Sequence, residues 1–148
     1  MSIVDDLNKA KQKLSTRNYS LVVVKDNEIL FSGKRTGISD LWNVYKNQPH
    51  ILTEAAVADR VIGRAAAIVL AAGDIMACYG QVLSEGAEEF FRERGIVYEA
   101  DLKVSAIKQP DSEDLCPLEK ITGDIGSIEE GLSEISQFIS GADEKREE

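Results

Sequence analysis

The chain has 148 residues, 43% hydrophobic and 29% charged, the balance of a soluble, single-domain globular protein with enough apolar material for a real core. Its formal net charge of −9 excludes nucleic acid as a default partner, because phosphate binding needs a basic surface. The start MSIVDDLNKAKQ is too acidic and polar for a signal or transit peptide, and the longest uncharged apolar run, Ala65 to Gly73, falls far short of the roughly 20 residues of a membrane span, so a cytoplasmic protein with no membrane contact is expected.

Residues 3–14 put Ile3, Val4, Leu7, Ala10 and Leu14 on one side with Asp and Lys opposite, which predicts an amphipathic first helix. SLVVVKDNEILFSG then reads as two strands joined at Asp26-Asn27, a tight hairpin whose turn residues tolerate positive φ. Leu21-Val22-Val23-Val24 is apolar without alternation, as expected of a strand buried on both faces. After the loop Gly33-Lys34-Arg35-Thr36-Gly37, Ser39 is placed to cap a short helix carrying Leu41, Trp42 and Tyr45, with Pro49 beyond its end.

TEAAVADRVIGRAAAIVLAAG, residues 53–73, is predicted as one long helix, capped by Thr53 and closed by Gly73. It is apolar nearly all the way round, the pattern of a buried helix, with Asp59, Arg60 and Arg64 as interruptions. On such a helix Asp59 shares a face with Ala55, Ala56, Gly63, Ala66 and Leu70, a seam where another backbone comes close. That closeness would offset the cost of about 1 kcal/mol for glycine in a helix interior. Asp59 then either fixes packing through a backbone amide or an arginine, or lines a pocket at the helix start.

A strand from Ile75 to Leu83 follows, and Ser84 caps the helix SEGAEEFFRER, which stops at Gly95. Another strand covers Ile96 to Val104, extending toward Ile107, before the polar loop KQPDSED. Cys116-Pro117 opens a short helix, and Ser127-x-x-Glu130 is a capping box ahead of Leu132, Ile135, Phe138 and Ile139. Residues 1–141 are expected as one domain and 142–148 as a charged, flexible tail. Strands separated by helices, with an antiparallel hairpin at the edge, predict an α/β protein: a three-layer α/β/α sandwich with a mixed sheet.

Several of these segments together resemble the cytidine deaminase-like superfamily, over roughly residues 18 to 120. They are the hairpin SLVVVKDNEILFSG, the Gly37-Ile38-x-x-Leu41 step, ADRVIGRAAA, YGQVLSEGA and Asp114-Leu115-Cys116-Pro117-x-Glu119. The nearer resemblance is to an uncharacterised bacterial family that keeps the fold without the zinc site. In the enzymes a Cys-Ala-Glu-Arg or His-Ala-Glu segment opens one helix and Pro-Cys-x-x-Cys opens the next. Laid over this chain, Val57-Ala58-Asp59-Arg60 stands for the first segment and Ser84-Glu85-Gly86-Ala87-Glu88 for the second. The ligand positions then carry Val57, Glu85 and Glu88, and the proton-shuttle position carries the shorter Asp59. Deaminase zinc needs thiolate or imidazole ligands, so the resemblance implies a domain of unknown function with neither a metal nor a cofactor. The one histidine, His50, follows Pro49 in a loop and reads as a surface residue.

The residues left over support three readings. In the first the domain binds a small nucleotide-like or anionic molecule between the long helix and the Ser84 turn. Asp59, Arg60, Gly80, Ser84, Glu85 and Gly86 are the candidate lining, and Lys34 and Arg35 add charge. In the second it is an enzyme with other chemistry: Asp59, Glu85 and Glu88 hold a hard cation through oxygen, or Cys116, at a helix start, acts as a nucleophile. Cys78, inside the strand, reads as core, and both cysteines match neither a disulfide framework nor a zinc spacing. In the third it is a self-associating interaction module, with Trp42, Tyr45, Phe90 and Phe91 as the contact aromatics.

Overall fold

The structure, a computed structural model, describes residues 2–16, 18–35 and 37–147, with 142–147 described by their backbone alone. Thr36, in the expected loop, and Glu148, in the expected tail, lie outside the described residues.

Helix α1 spans Ile3–Leu14, as its amphipathic pattern requires, and the Ser2 hydroxyl caps it by accepting from the Asp5 amide at 3.1 Å. Strands β1 (Leu21–Lys25) and β2 (Glu28–Gly33) form the hairpin. Its turn residues Asp26 and Asn27 have φ of 50° and 67°, the conformation that a two-residue hairpin loop demands. Leu21 to Val24 are all buried. Helix α2 covers Ser39–Asn47, but Ile38 occupies the cap position and no side chain caps the helix. Ser39 is therefore the first helical residue rather than the cap. Asp40 turns inward instead and accepts from the Arg35 amide at 3.1 Å.

The segment 53–73 is not one helix. Ala56–Ile62 form strand β3, and only Arg64–Ala72 form a helix, α3. Thr53 sits in the preceding turn, where Glu54 takes a φ of 62°, so it caps nothing. Gly63 is extended, with φ −92° and ψ −179°, and stands at the cap position between strand and helix rather than in a helix interior. The physical reason for the misreading is two-sided burial. A strand covered on both faces carries apolar residues without alternation, and alanine-rich runs of that kind imitate a buried helix. Val57 packs in one core layer and Ala56 and Ala58 in the other. The close of the helix also differs from expectation by one position: α3 ends at Ala72, Gly73 is its right-handed C-cap with φ −74°, and the left-handed place expected of Gly73 is taken by Asp74, with φ 64°.

Strand β4 (Ala77–Ser84), helix α4 (Glu85–Glu93) and strand β5 (Val97–Val104) follow, with Gly95 at φ 67° in the turn between the last two. Beyond β5 the chain folds on itself through a bridge between Lys108 and Leu115. Helix α5 (Pro117–Thr122) begins with proline at its first position. Helix α6 (Ile128–Glu147) starts on the Ser127 box, whose hydroxyl accepts from the Glu130 amide at 3.1 Å, and it runs through most of the segment expected as a tail.

The five strands make one mixed sheet in the order β2-β1-β3-β4-β5. β3, β4 and β5 are parallel, and β1 is antiparallel to both β2 and β3. α1 alone covers one face, laying Leu7, Ala10 and Leu14 on Val22, Val24, Ala56, Ala58, Ala77 and Tyr79. The other five helices share the opposite face, where Phe90 and Phe91 are fully buried and Trp42 and Tyr45 pack against the same cluster. Of these four aromatics, expected as a contact surface, Phe90 and Phe91 belong to the core and Trp42 and Tyr45 are half-buried against it. α6 approaches α3 closely at Gly131, where an added Cβ would lie 2.8 Å from Ile68 side-chain carbons. No described helix is long and apolar enough to cross a membrane.

Ser84 ends β4 fully buried, and its hydroxyl accepts from the Ala87 amide at 3.1 Å. Ser84→Ala leaves that buried amide without its acceptor. The expected loss is about 1–2 kcal/mol of unfolding free energy, measured by urea denaturation.

Candidate functional site

Parallel strands leave a crevice at their carboxyl ends wherever neighbouring connections diverge, and here β3 has α3 after it and the antiparallel β1 beside it. A cavity of about 220 Å³ opens at that place. Asp59 and Val61 of β3, Gly63 and Ala65 at the start of α3, and Gly37 and Ile38 before α2 make its floor and sides. Ile107, Cys116, Leu118 and Glu119, all from the chain after β5, form the opposite wall. The lining is mostly apolar, so any charge inside it is poorly solvated.

Glu119 holds that wall in place. One carboxylate oxygen accepts from the Arg64 amide at 2.7 Å and the other from the Ile107 amide at 2.8 Å. The first of these is an unpaired amide of a helix start, where a negative charge is favoured. Gly63 makes the approach feasible, since a Cβ there would stand 2.8 Å from the Glu119 oxygen. The buried Arg64 side chain points elsewhere. It donates to the Ile125 carbonyl at 3.0 and 2.6 Å and to the Gly86 carbonyl at 2.9 Å, tying α3 to the chain before α6 and to α4.

Asp59, too, has no side-chain hydrogen-bond partner among the described residues. Its hydrogen bond comes from backbone, the Val61 amide at 3.4 Å. Burial, against the weaker pull of the Val61 and Arg60 amides and with the Asp40 charge adding to it, pushes the Asp59 carboxyl up to about 7. Burial and the Asp59 charge likewise push the Cys78 thiol far above its ordinary range, and Cys78 is wholly buried in the core, as expected.

The other residues singled out from the sequence divide into two groups. Arg60 and Cys116 line the same cavity as Asp59, although the Arg60 guanidinium is turned to the α1 side, bonding Gln81 at 3.1 Å and the Leu14 carbonyl at 3.2 Å. Gly80, Ser84, Glu85 and Gly86 lie outside the cavity lining. A Cβ on Gly80 would meet Ile62 at 3.0 Å, so that glycine serves packing, while Gly86 offers its carbonyl to the Arg64 guanidinium. Glu85 is exposed, and Glu88 is occupied by Lys103 at 2.6 Å, the Tyr98 hydroxyl at 2.9 Å and Arg92 at 3.2 Å. Asp59, Glu85 and Glu88 therefore do not converge, and among the described residues no three His, Cys, Asp or Glu side chains gather as a metal site. Lys34 stacks on Tyr19, Arg35 is exposed, and His50 is exposed in a single 3-10 turn.

Val57-Ala58-Asp59-Arg60 lies within a strand and so opens no helix, which removes the register in which it stands for the deaminase glutamate segment. Reasoning from sequence missed the roles of Glu119, Gly63 and Arg64. Glu119 was visible as the third residue of a helix beginning Cys116-Pro117, a place where acids cap, but its two acceptor bonds are to amides far away in sequence.

What these elements define is a mixed α/β protein with a small, mostly apolar crevice at the carboxyl end of its central strand. Residues 9–139 match the family model TM1506, a domain of unknown function (DUF1893), and the chain belongs to that family. Its fold is similar to the crystal structure of a DUF1893 family protein (TM1506) from Thermotoga maritima at 2.70 Å resolution, with a TM-score of 0.83 and 22% sequence identity over 90% of this chain and 89% of that one. No curated protein matches the chain.

The raised Asp59 carboxyl makes stability depend on pH with a definite sign. The folded chain keeps the Asp59 proton up to about pH 7, whereas the unfolded chain releases it near pH 4, at about the ordinary value. The contribution is therefore fully present below about pH 4 and is lost as pH rises toward 7. Asp59→Asn is expected to leave urea stability unchanged at pH 4 and to raise it at pH 8.

Proposed function

We propose that the protein is a deaminase-like domain that keeps the crevice of that fold without its zinc chemistry, and that it binds a small, nucleobase-sized molecule there. The observation that carries this reading is the Asp59 carboxyl, set in a mostly apolar cavity with no side-chain partner among the described residues. An unpaired polar group in such surroundings costs free energy unless a partner arrives. The sheet order, with β1 running against its neighbours, agrees with the deaminase-like reading. So do the helix starts at the crevice. The two helices after the hairpin open at Gly37-Ile38-Ser39 and Gly63-Arg64-Ala65, which offer neither thiolate nor imidazole. The Ser84 turn, with its hydroxyl and its glycine already engaged, drops out of the ligand site. The crevice favours the heterocyclic part of a nucleotide-like ligand over a free anion, because its acidic side chains outnumber its single arginine.

A thermal-shift panel of nucleobases, nucleosides, nucleotides and inorganic phosphate tests the reading. Stabilisation by bases or nucleosides, diminished in Asp59→Asn, is the expected result. No shift with any of them, in the full chain at millimolar concentration, would count against ligand binding in the crevice.

One observation favours a second reading, an enzyme with a thiol nucleophile: Cys116 lines the same cavity as Asp59, and a carboxyl that titrates near neutrality is suited to accept a proton. That reading requires Cys116 to be alkylated by iodoacetamide faster than the cysteine of a free peptide at pH 7. An equal or slower rate removes it.

A further inference from the structure

The crevice has a charge sign. Three carboxyl groups act on it: Asp59 on β3, Glu119 on α5 and Asp40 on α2, which raises the Asp59 carboxyl through space. Glu119 and Asp40 are committed to backbone amides, Glu119 to Arg64 and Ile107 and Asp40 to Arg35. Asp40 also has the exposed Arg35 guanidinium at 3.9 Å, whereas Arg60 and Arg64 pair with none of the three carboxyls. Arg60 is drawn to Gln81 and Leu14 on the α1 side, and Arg64 is held by the Ile125 and Gly86 carbonyls. The remaining titratable neighbours are two thiols, Cys78 on β4 and Cys116 ahead of α5. The positive end of α3 would ordinarily attract an anion, but the Glu119 carboxylate already occupies its first amide. Among the described residues, Arg60 and Arg64, the arginines at the crevice, are both engaged away from Asp59, and the walls around Asp59 are mostly apolar.

We propose that the cavity selects a ligand carrying a positively charged nitrogen (an amine, amidinium or guanidinium on a small apolar body) that pairs directly with Asp59. This rests on the reading of the crevice as a ligand site and adds the charge and donor pattern of the ligand. A charged donor on a carboxylate forms the stronger, shorter class of hydrogen bond, and it pairs a crevice carboxyl that no side chain among the described residues meets. Because the Asp59 carboxyl holds its proton to about pH 7, a cation that binds near neutrality displaces that proton to solvent. Cation affinity therefore rises with pH through this range, while the affinity of a neutral ligand does not.

Three molecules of one shape separate the possibilities: benzamidine, benzamide and benzoate, titrated into the full chain by calorimetry at pH 5.5 and pH 8. At pH 8 benzamidine is expected to bind about tenfold or more tightly than benzamide, the size of one charge-assisted hydrogen bond, and benzoate weakest. The benzamidine advantage narrows at pH 5.5 and vanishes in Asp59→Asn. Since the wild-type series carries the comparison alone, it stands even where the variant folds poorly. Benzoate binding tightest, or benzamide and neutral nucleosides binding as well as benzamidine at pH 8, overturns the charge preference and leaves the crevice a ligand site. Failure of all three and of the nucleosides overturns both.

Discussion

A strand segment buried on both faces and paired along both edges has no side left for water, and the first half of β3, Ala56 to Ala58, is in that position. β1 runs antiparallel along one edge and β4 parallel along the other, with α1 above and α3 below. Every side chain there must therefore be apolar or find an internal partner, and Ala56, Val57 and Ala58 meet the condition simply. Asp59, next along the strand, does not. Its reluctance to ionise follows from placing a carboxyl where the enclosed part of β3 gives way to the apolar crevice and the turn at Gly63. The burial of β3 fixes the position of α3, and α3 in turn positions the five-helix layer on that face.

Much of this was legible in the residues. The amphipathic first helix, the Asp26-Asn27 hairpin, the Ser84 cap and the Ser127 box rest on local rules, in which side-chain period and hydrogen-bonding chemistry act within a few positions, and they were placed to within two residues. The failure lay at 53–73, for a reason that is not local. Whether an apolar alanine-rich run is strand or helix depends on what lies against it, and β1, distant in sequence, decides the matter. With β3 read as helix, Asp59 and the Ser84 turn were brought together in one pocket. As a strand, β3 instead turns Asp59 toward Cys116 and Glu119.

Cys116 and Asp59 were singled out separately, and only the chain's return after β5 joins them. The Glu119 contacts had no signal of comparable strength, because a carboxylate accepting from two amides, one 55 and the other 12 positions away, leaves no periodicity. The same holds for Arg64. An arginine inside an apolar run suggests a functional charge, whereas its guanidinium is spent on two main-chain carbonyls, those of Ile125 and Gly86.

The wall formed by residues 107–119 takes no part in the five-stranded sheet. Ile107, Cys116 and Leu118 can therefore change in size without altering the register of any strand, provided Glu119 keeps its two amides. The division of labour resembles a mould with one removable side: the sheet and α3 set where the cavity is, and a short, separately tied length of chain sets its shape. Divergence among relatives of this fold has a natural place to act there, since the identity of what fits inside can drift while the architecture around it stays the same.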